Sequence, residues 1–146
     1  MAKFFYKMQN ILDIKEKLET QAKNEYAVAN SVLAEEEEKL NRLEERRQQY
    51  EAGLKELYSD DTLDLKEIAY MSEAVELMKY YKKQQEVNVR KARKNADLAR
   101  DRLQEAMQER KTHEKLKENA FEQFKLDVAA SESKEVDELV SYRFGS

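Results

Sequence analysis

Apolar residues recur along the first half of this sequence in alternating steps of three and four: Phe5, Met8, Leu12, Ala22, Tyr26, Ala29, Leu33, Leu40, Leu43, Tyr50, Leu54 and Leu57. Lys15, Glu19, Glu36 and Arg47 occupy the remaining steps, so twelve of sixteen positions are apolar and the phase never breaks. A sustained 3.5-residue repeat is the seam of a left-handed coiled coil. Ile11, Ile14, Leu18 and Val32 lie beside that seam and widen it. The pattern predicts a first helix over about residues 4–58.

The repeat stops at Tyr58-Ser59-Asp60-Asp61-Thr62, a cluster of small polar capping residues that marks a turn at about 59–62. Two capping frames are open there, Asp61 with Asp64 or Asp64 with Glu67. The seam restarts at Ile68 and runs through Met71, Val75, Met78, Lys82, Gln85, Val89, Ala92, Ala96, Ala99, Leu103, Ala106, Arg110, His113, Lys117, Ala120 and Phe124. Twelve of these seventeen are apolar, which predicts a second helix over about 63–142. A further stripe through Met107, Phe121 and Val128 overlaps it after Leu103.

Two seams joined by a short connection should fold back on each other. The expected fold is therefore all-α: an antiparallel coiled-coil hairpin over residues 1–146, one unit, with the second helix longer than the first. A turn near residue 60 pairs positions whose numbers total about 121 or 122. This sets Ala29 against Ala92, Leu33 against Val89, Tyr50 against Met71 and Leu43 against Met78. Glu36 meets Gln85, a polar pair that can fix register at some cost in stability. The acidic run Glu35–Glu38 should face Lys82 and Lys83. A short loop makes this hairpin cheaper in entropy than a dimer of separate helices, so a monomer is expected when free.

Composition agrees. Charged residues make up 40% of the chain, both signs are heavily used, and the net charge is only −4. There is no proline, and two glycines cannot supply the turns of a sheet protein. Glu, Lys, Gln, Ala, Leu and Arg, the strong helix formers, are in excess, which signals long helices or coiled coil. The periodicity of the apolar residues argues against disorder, which high charge alone would allow. The absence of cysteine excludes a disulfide framework and a thiolate zinc site. The N-terminus lacks the apolar core of a signal peptide, and no apolar run approaches the roughly 20 residues needed to span a bilayer. A soluble, cytoplasmic protein is expected.

Little in the sequence suggests chemistry. His113 is the lone histidine and has no His or Cys companion at ligand spacing. The four consecutive glutamates lack the alternating ligands and glycine of a calcium loop. No glycine-rich phosphate loop is present. No catalytic residue, metal or cofactor is therefore expected, and no enzyme activity. Residues 79–102 carry nine Lys or Arg against three acids, but an acidic helix should cover them, which argues against nucleic-acid binding. Tyr58, Tyr70, Tyr80 and Tyr81 sit off or beside the seam near the turn, where exposed aromatics mark interfaces as readily as they pack on their own helix.

The C-terminal surplus is the sharpest feature. At a register of about 121, residue 1 lies near residue 120, and no helix remains to pair with the residues beyond 120. That overhang nevertheless carries Phe121, Phe124, Val128, Val136, Leu139, Val140, Tyr142 and Phe144. An amphipathic helix without an internal partner usually finds an external one.

These residues resemble a known family. The opening Lys3-Phe4-Phe5-Tyr6-Lys7-Met8-Gln9-Asn10-Ile11-Leu12-Asp13-Ile14-Lys15-Glu16-Lys17 is similar to the start of the flagellar export protein FliJ family. So are Glu109-Arg110-Lys111 with Glu114-Lys115-Leu116, and Lys134-Glu135-Val136-Asp137-Glu138-Leu139 followed by Arg143-Phe144. The resemblance implies a hairpin similar to the central stalk of rotary ATPases. It implies engagement of the hexameric flagellar export ATPase, promotion of ring assembly and activity, and a link to the membrane export gate. Export chaperones are further implied partners. The implied location is the cytoplasmic face of the inner membrane at the flagellar base, held there through partners, in the setting of type III secretion and motility.

For a stalk, the end carrying both termini is the expected ATPase contact: Phe4, Phe5, Phe121, Phe124, Val136, Leu139 and Phe144. The resemblance implies a gate contact at Leu43 and Tyr50, to which Tyr80 and Tyr81 are added as exposed aromatics near the turn. Lys39 and Arg46 depart from the glutamine and tyrosine expected there. Leu43 also falls in the seam, where full burial would bar a partner. The stalk of a related injectisome, a coiled-coil holdase and a nucleic-acid-binding protein are the competing readings.

Overall fold

The computed structural model describes residues 2–144. It is all-α: helix α1 spans Gln9–Ser59, helix α2 spans Leu65–Phe144, and the longer second helix packs against the first. Two compact units make up the chain, Lys23–Arg102 and Met1–Ala22 with Leu103–Ser146.

The Lys23–Arg102 unit contains the connection between the helices. The Asp64 carboxylate caps α2, accepting the backbone N–H groups of Lys66 at 3.1 Å and Glu67 at 3.2 Å. Of the two frames open in the sequence, the structure takes the later one, because an N-cap side chain satisfies the unpaired donors of the first turn. At the other side of the turn the Ser59 hydroxyl donates to the Glu56 carbonyl at 2.9 Å, meeting one of the carbonyls left over at the end of α1.

The core of this unit is a single seam. Ile68, Val75, Met78, Gln85, Val89, Ala92, Ala96 and Ala99 of α2 are buried, whereas the facing α1 residues from Tyr26 to Leu57 are half-buried. The difference follows from size. A core one layer thick leaves an edge of each large side chain in water, while an alanine is covered by whatever faces it. Gly53 receives Met71, whose methyl lies 3.4 Å from where a Cβ would stand. Gln85 donates to the Glu36 backbone carbonyl at 2.8 Å and also to its carboxylate, so residues 36 and 85 face each other as the seam pairing requires.

The charges distribute differently from the expectation. Lys82 pairs with Glu44 at 2.8 Å, and Glu37 pairs with Arg93 at 3.1 Å. Glu36 and Glu38 pair within α1, with Lys39 and Arg42. Long side chains reach about a turn along the partner helix, so the residue directly opposite is not the one engaged.

In the second unit the seam continues through Leu12, Lys15, Glu19 and Ala22, opposite Leu103 to Phe124 of α2. Leu12, Glu19 and Ala22 are buried. Arg110 of α2 binds the Glu19 carboxylate and reaches Glu114 at 2.8 Å, and Lys15 pairs with Glu109 at 2.7 Å. The buried charge of Glu19 is thus matched by a guanidinium, the condition under which burial of a carboxylate is tolerated. His113 is half-buried at the seam edge, with its Nδ1 enclosed and unbonded.

Residues 2–8 are not helical, which corrects the expected helix start near residue 4. No Ser, Thr, Asp or Asn stands before Phe4 to cap a helix there. Instead Gln9 N–H donates to the Tyr6 carbonyl at 3.2 Å and Leu12 N–H to the Met8 carbonyl at 3.1 Å. The chain ahead of α1 lays Phe4 onto α2, so the seam begins at Leu12 and leaves Phe5 and Met8 exposed.

Candidate functional site

Two regions hold the residues that the sequence singles out. The first is the end of the unit that contains both termini. Phe4 meets Phe121 edge-on with ring centroids 5.1 Å apart and Phe124 at 5.4 Å, and Phe121 stacks on Phe124 at 6.5 Å. Tyr6 stacks on Phe4 at 6.5 Å, and the Lys125 ammonium lies 5.0 Å from the Phe121 ring centre. Such ring pairs stabilise by about 0.5–1.5 kcal/mol beyond area burial. Phe121 and Phe124 therefore have an internal partner, and the expectation that the whole overhang is uncovered is corrected at these two residues. A non-helical aromatic supplies what no second helix does.

Beyond Val128 the chain changes character. Every residue from 129 to 144 is exposed, although α2 continues to Phe144. Val136, Leu139 and Val140 lie at i, i+3 and i+4 on one face, with Phe144 one turn further. Leu139 is 67% exposed and Phe144 80%. Phe5, at 82%, is equally bare and takes no part in the Phe4 cluster. The predicted set thus divides into an ordered aromatic cluster (Phe4, Phe121, Phe124) and a bare apolar set (Phe5, Val136, Leu139, Phe144).

The second region lies in the Lys23–Arg102 unit. Leu43 and Tyr50 are half-buried in the seam, two helical turns apart. Tyr80 and Tyr81 are exposed, with rings 5.9 Å apart and tilted by 57°, and Tyr80 Oη accepts a hydrogen bond from the Gln84 amide at 2.7 Å. Leu43 and Tyr81 line one open groove, and Tyr80 lines another together with Arg47 and Lys82. The seam position of Leu43 consequently does not remove it from contact, because the edge of a thin core is open to solvent.

Electrostatics tie this region together. Glu44 receives Arg47 from its own helix and Lys82 from α2, and the two cations hold its carboxyl down to about 2. The same carboxylate, with Glu51, holds the Arg47 guanidinium in its charged form. The Gln85 amide lowers Glu36 in a similar way, and Lys15 lowers Glu109 in the other unit. Each shift reflects hydrogen bonds that favour the charged carboxylate.

Among the described residues no group of His, Cys, Asp and Glu could hold a metal ion, and no helix is long and apolar enough to cross a membrane. Sequence reasoning misses the Phe4 cluster and the Glu19–Arg110 pair. The second leaves a signal, since an acid and a base both occupy positions of a seam that is mostly apolar.

No curated protein and no solved structure matches the chain. The family model described as "Flagellar FliJ protein" matches residues 4–146. With essentially the whole sequence covered and the paired helices in place, the chain belongs to the flagellar FliJ protein family, a non-catalytic structural family with a role in flagellar export.

Proposed function

We propose that this protein is the central stalk and adaptor of the flagellar export ATPase. It promotes assembly of the hexameric ATPase ring and its activity, links the ring to the membrane export gate, and serves the export chaperones. It works in the cytoplasm against the membrane face at the flagellar base.

One observation carries the reading: α2 runs on past Val128 as a helix whose apolar face, Val136, Leu139, Val140 and Phe144, is covered by nothing among the described residues. A helix presented in this way is suited to a groove or ring lined by other subunits. Burying several such side chains, at about 1.5–3 kcal/mol each, is enough to offset the cost of association. The Phe4–Phe121–Phe124 cluster braces the base of that helix. Leu43, Tyr50, Tyr80 and Tyr81 form the gate-facing part.

The test is an assay with the export ATPase of the same organism. Adding the purified protein should raise ATP hydrolysis and shift the ATPase toward its hexamer. A triple variant, Tyr50→Ala with Tyr80→Ala and Tyr81→Ala, should still stimulate the ATPase yet abolish swimming. An ATPase indifferent to the protein in both rate and assembly would refute the stalk reading, and normal swimming by the triple variant would remove the gate contact.

A further inference from the structure

One groove in the Lys23–Arg102 unit is charged on one wall only. Lys39, Arg42 and Arg46 stand on a single face of α1, at steps of three and four. Across from them α2 contributes Tyr81, Gln84 and Asn88, with half-buried Leu43 and buried Gln85 between the walls. Among the described residues no carboxylate lines this space of about 420 Å³, a volume within the range of ligand-binding clefts.

The neighbouring groove, about 480 Å³, shows what neutralisation looks like. Its Arg47 is bound to Glu44 and Glu51, its Lys82 to Glu44 and its Lys79 to Glu76, and Glu86 also lines it. In the first groove Lys39 touches Glu36 at 3.5 Å and Arg42 touches Glu38 at 2.9 Å, both pairs within one helix. Arg46 makes no ion pair among the described residues. Exposed intrahelical pairs are worth only a few tenths of a kcal/mol and exchange readily for a better carboxylate.

We propose that this groove binds an acidic linear segment of a partner protein. Its carboxylates lie against Lys39, Arg42 and Arg46, and an aromatic or leucine-sized side chain enters between Leu43 and Tyr81. Gln84 and Asn88 each use an amide N–H within their own helix, on Tyr80 Oη and Gln85 Oε1, and keep a carbonyl oxygen for the N–H groups of a bound backbone. The cationic wall spans residues 39 to 46, about 10 Å of helix. That length suits a few carboxylates and falls short of the extended basic stripe a nucleic acid requires. This proposal rests on the reading of Leu43 and Tyr81 as partner-facing residues.

The test uses the full chain and a short fluorescein-labelled peptide of Asp, Leu and Phe, with fluorescence polarisation at low salt as the readout. A counterpart with every Asp replaced by Lys and a single-stranded oligothymidylate serve as comparison probes. The acidic peptide should bind, and the other two should bind far more weakly. Arg42→Glu with Arg46→Glu should weaken binding by at least about tenfold, because both attraction and steering reverse sign at the contact. Tyr81→Ala should weaken it as well while leaving the helices unperturbed by circular dichroism. Lys111→Glu with Lys134→Glu makes the same change of net charge several turns further along α2 and should leave binding within about twofold, since exposed charges that far from the contact act only weakly on it. Equal loss in that remote variant, equal binding of the oligothymidylate or of the lysine peptide, or no binding of the acidic peptide would each overturn the proposal. Failure here leaves ATPase stimulation and the gate contact untouched. A triple tyrosine variant that swims normally removes the gate contact, while acidic-peptide binding by the parent chain still upholds the groove.

Discussion

Gln85 of α2 gives its side-chain amide to Glu36 of α1 twice, to the carboxylate and, at 2.8 Å, to the backbone carbonyl. The second bond matters more for register. A carboxylate can follow a sliding partner, but a main-chain carbonyl is fixed to its own turn of helix. The pair therefore marks one alignment of α1 and α2 within the Lys23–Arg102 unit, at the step in the seam where neither helix offers an apolar residue.

Replacing Glu36 by leucine should alter stability by less than about 1 kcal/mol, since a hydrogen-bonded polar pair in a seam contributes little net energy over an apolar replacement. Leu40→Ala should cost more, toward the low end of roughly 2–5 kcal/mol, because this core is thin. Register should loosen in Glu36→Leu all the same. With cysteines introduced at Ala29 and Ala92, the parent should close an intrachain disulfide in high yield and the Glu36→Leu background in lower yield. Urea melts and non-reducing gels read the two effects. A larger stability loss in Glu36→Leu than in Leu40→Ala would contradict this role for the pair.

Acid should loosen the pairing of the helices. Glu44, held at about 2 by Arg47 and Lys82, lies well below the ordinary 4.5, and Glu36 and Glu109 are lowered too. A carboxyl whose pKa is depressed by folding stabilises fully above 4.5, and that contribution fades as pH falls from 4.5 toward 2. The Tm should hold steady from about pH 7 to 5 and drop below 4.5. Glu44→Gln should lower Tm at neutral pH and lose less on acidification than the parent. An equal acid response in both proteins would remove the Glu44 bridge from the explanation.

Phe4 and Phe5 are adjacent yet should behave oppositely. Phe4 packs on Phe121 and Phe124, whereas Phe5 is 82% exposed. Phe4→Ala should destabilise the unit by about 1–3 kcal/mol, below the usual 3–5 for a core phenylalanine because Phe4 is only half-buried. Phe5→Ala should melt like the parent and show its effect, if it contributes to the ATPase contact, in stimulation alone. Thermal melts monitored by circular dichroism decide between them.

Much of the fold is legible in the sequence because the seam is periodic. Each seam position from Leu12 to Leu57 and from Ile68 to Phe124 is buried or half-buried, and a 3.5-residue repeat needs no tertiary information to be seen. The facing of Glu36 and Gln85 follows from counting outward from the turn. The helix start at Leu65 is ambiguous between two frames, because Asp61 and Asp64 offer equivalent oxygens and only tertiary placement selects one. The salt bridges Lys82–Glu44 and Glu37–Arg93 are hidden from such counting, since long flexible side chains choose partners by reach and not by register. The sequence places Phe4, Phe121 and Phe124 at the same end but gives no signal that they pack on one another. Phe4 stands one position off the seam step at Phe5, and its partner lies more than a hundred residues away in sequence. At the candidate ATPase contact, counting register exposes the overhang but does not reveal that Phe4 packs on Phe121 and Phe124, leaving Phe121 partly exposed and Phe124 half-buried, while Val136 to Phe144 are bare.

The bare end of α2 carries the central claim, and truncation tests it most directly. A chain ending after Val128 keeps Leu12, the Phe4 cluster and the Lys15–Glu109, Glu19–Arg110 and Lys82–Glu44 bridges, so its helicity per residue and its melting should match those of the full protein. ATP hydrolysis by the export ATPase of the same organism should then rise with the full chain and stay at its basal rate with the truncated one. If the truncated chain folds and still stimulates the ATPase fully, the contact lies elsewhere and the central claim is wrong.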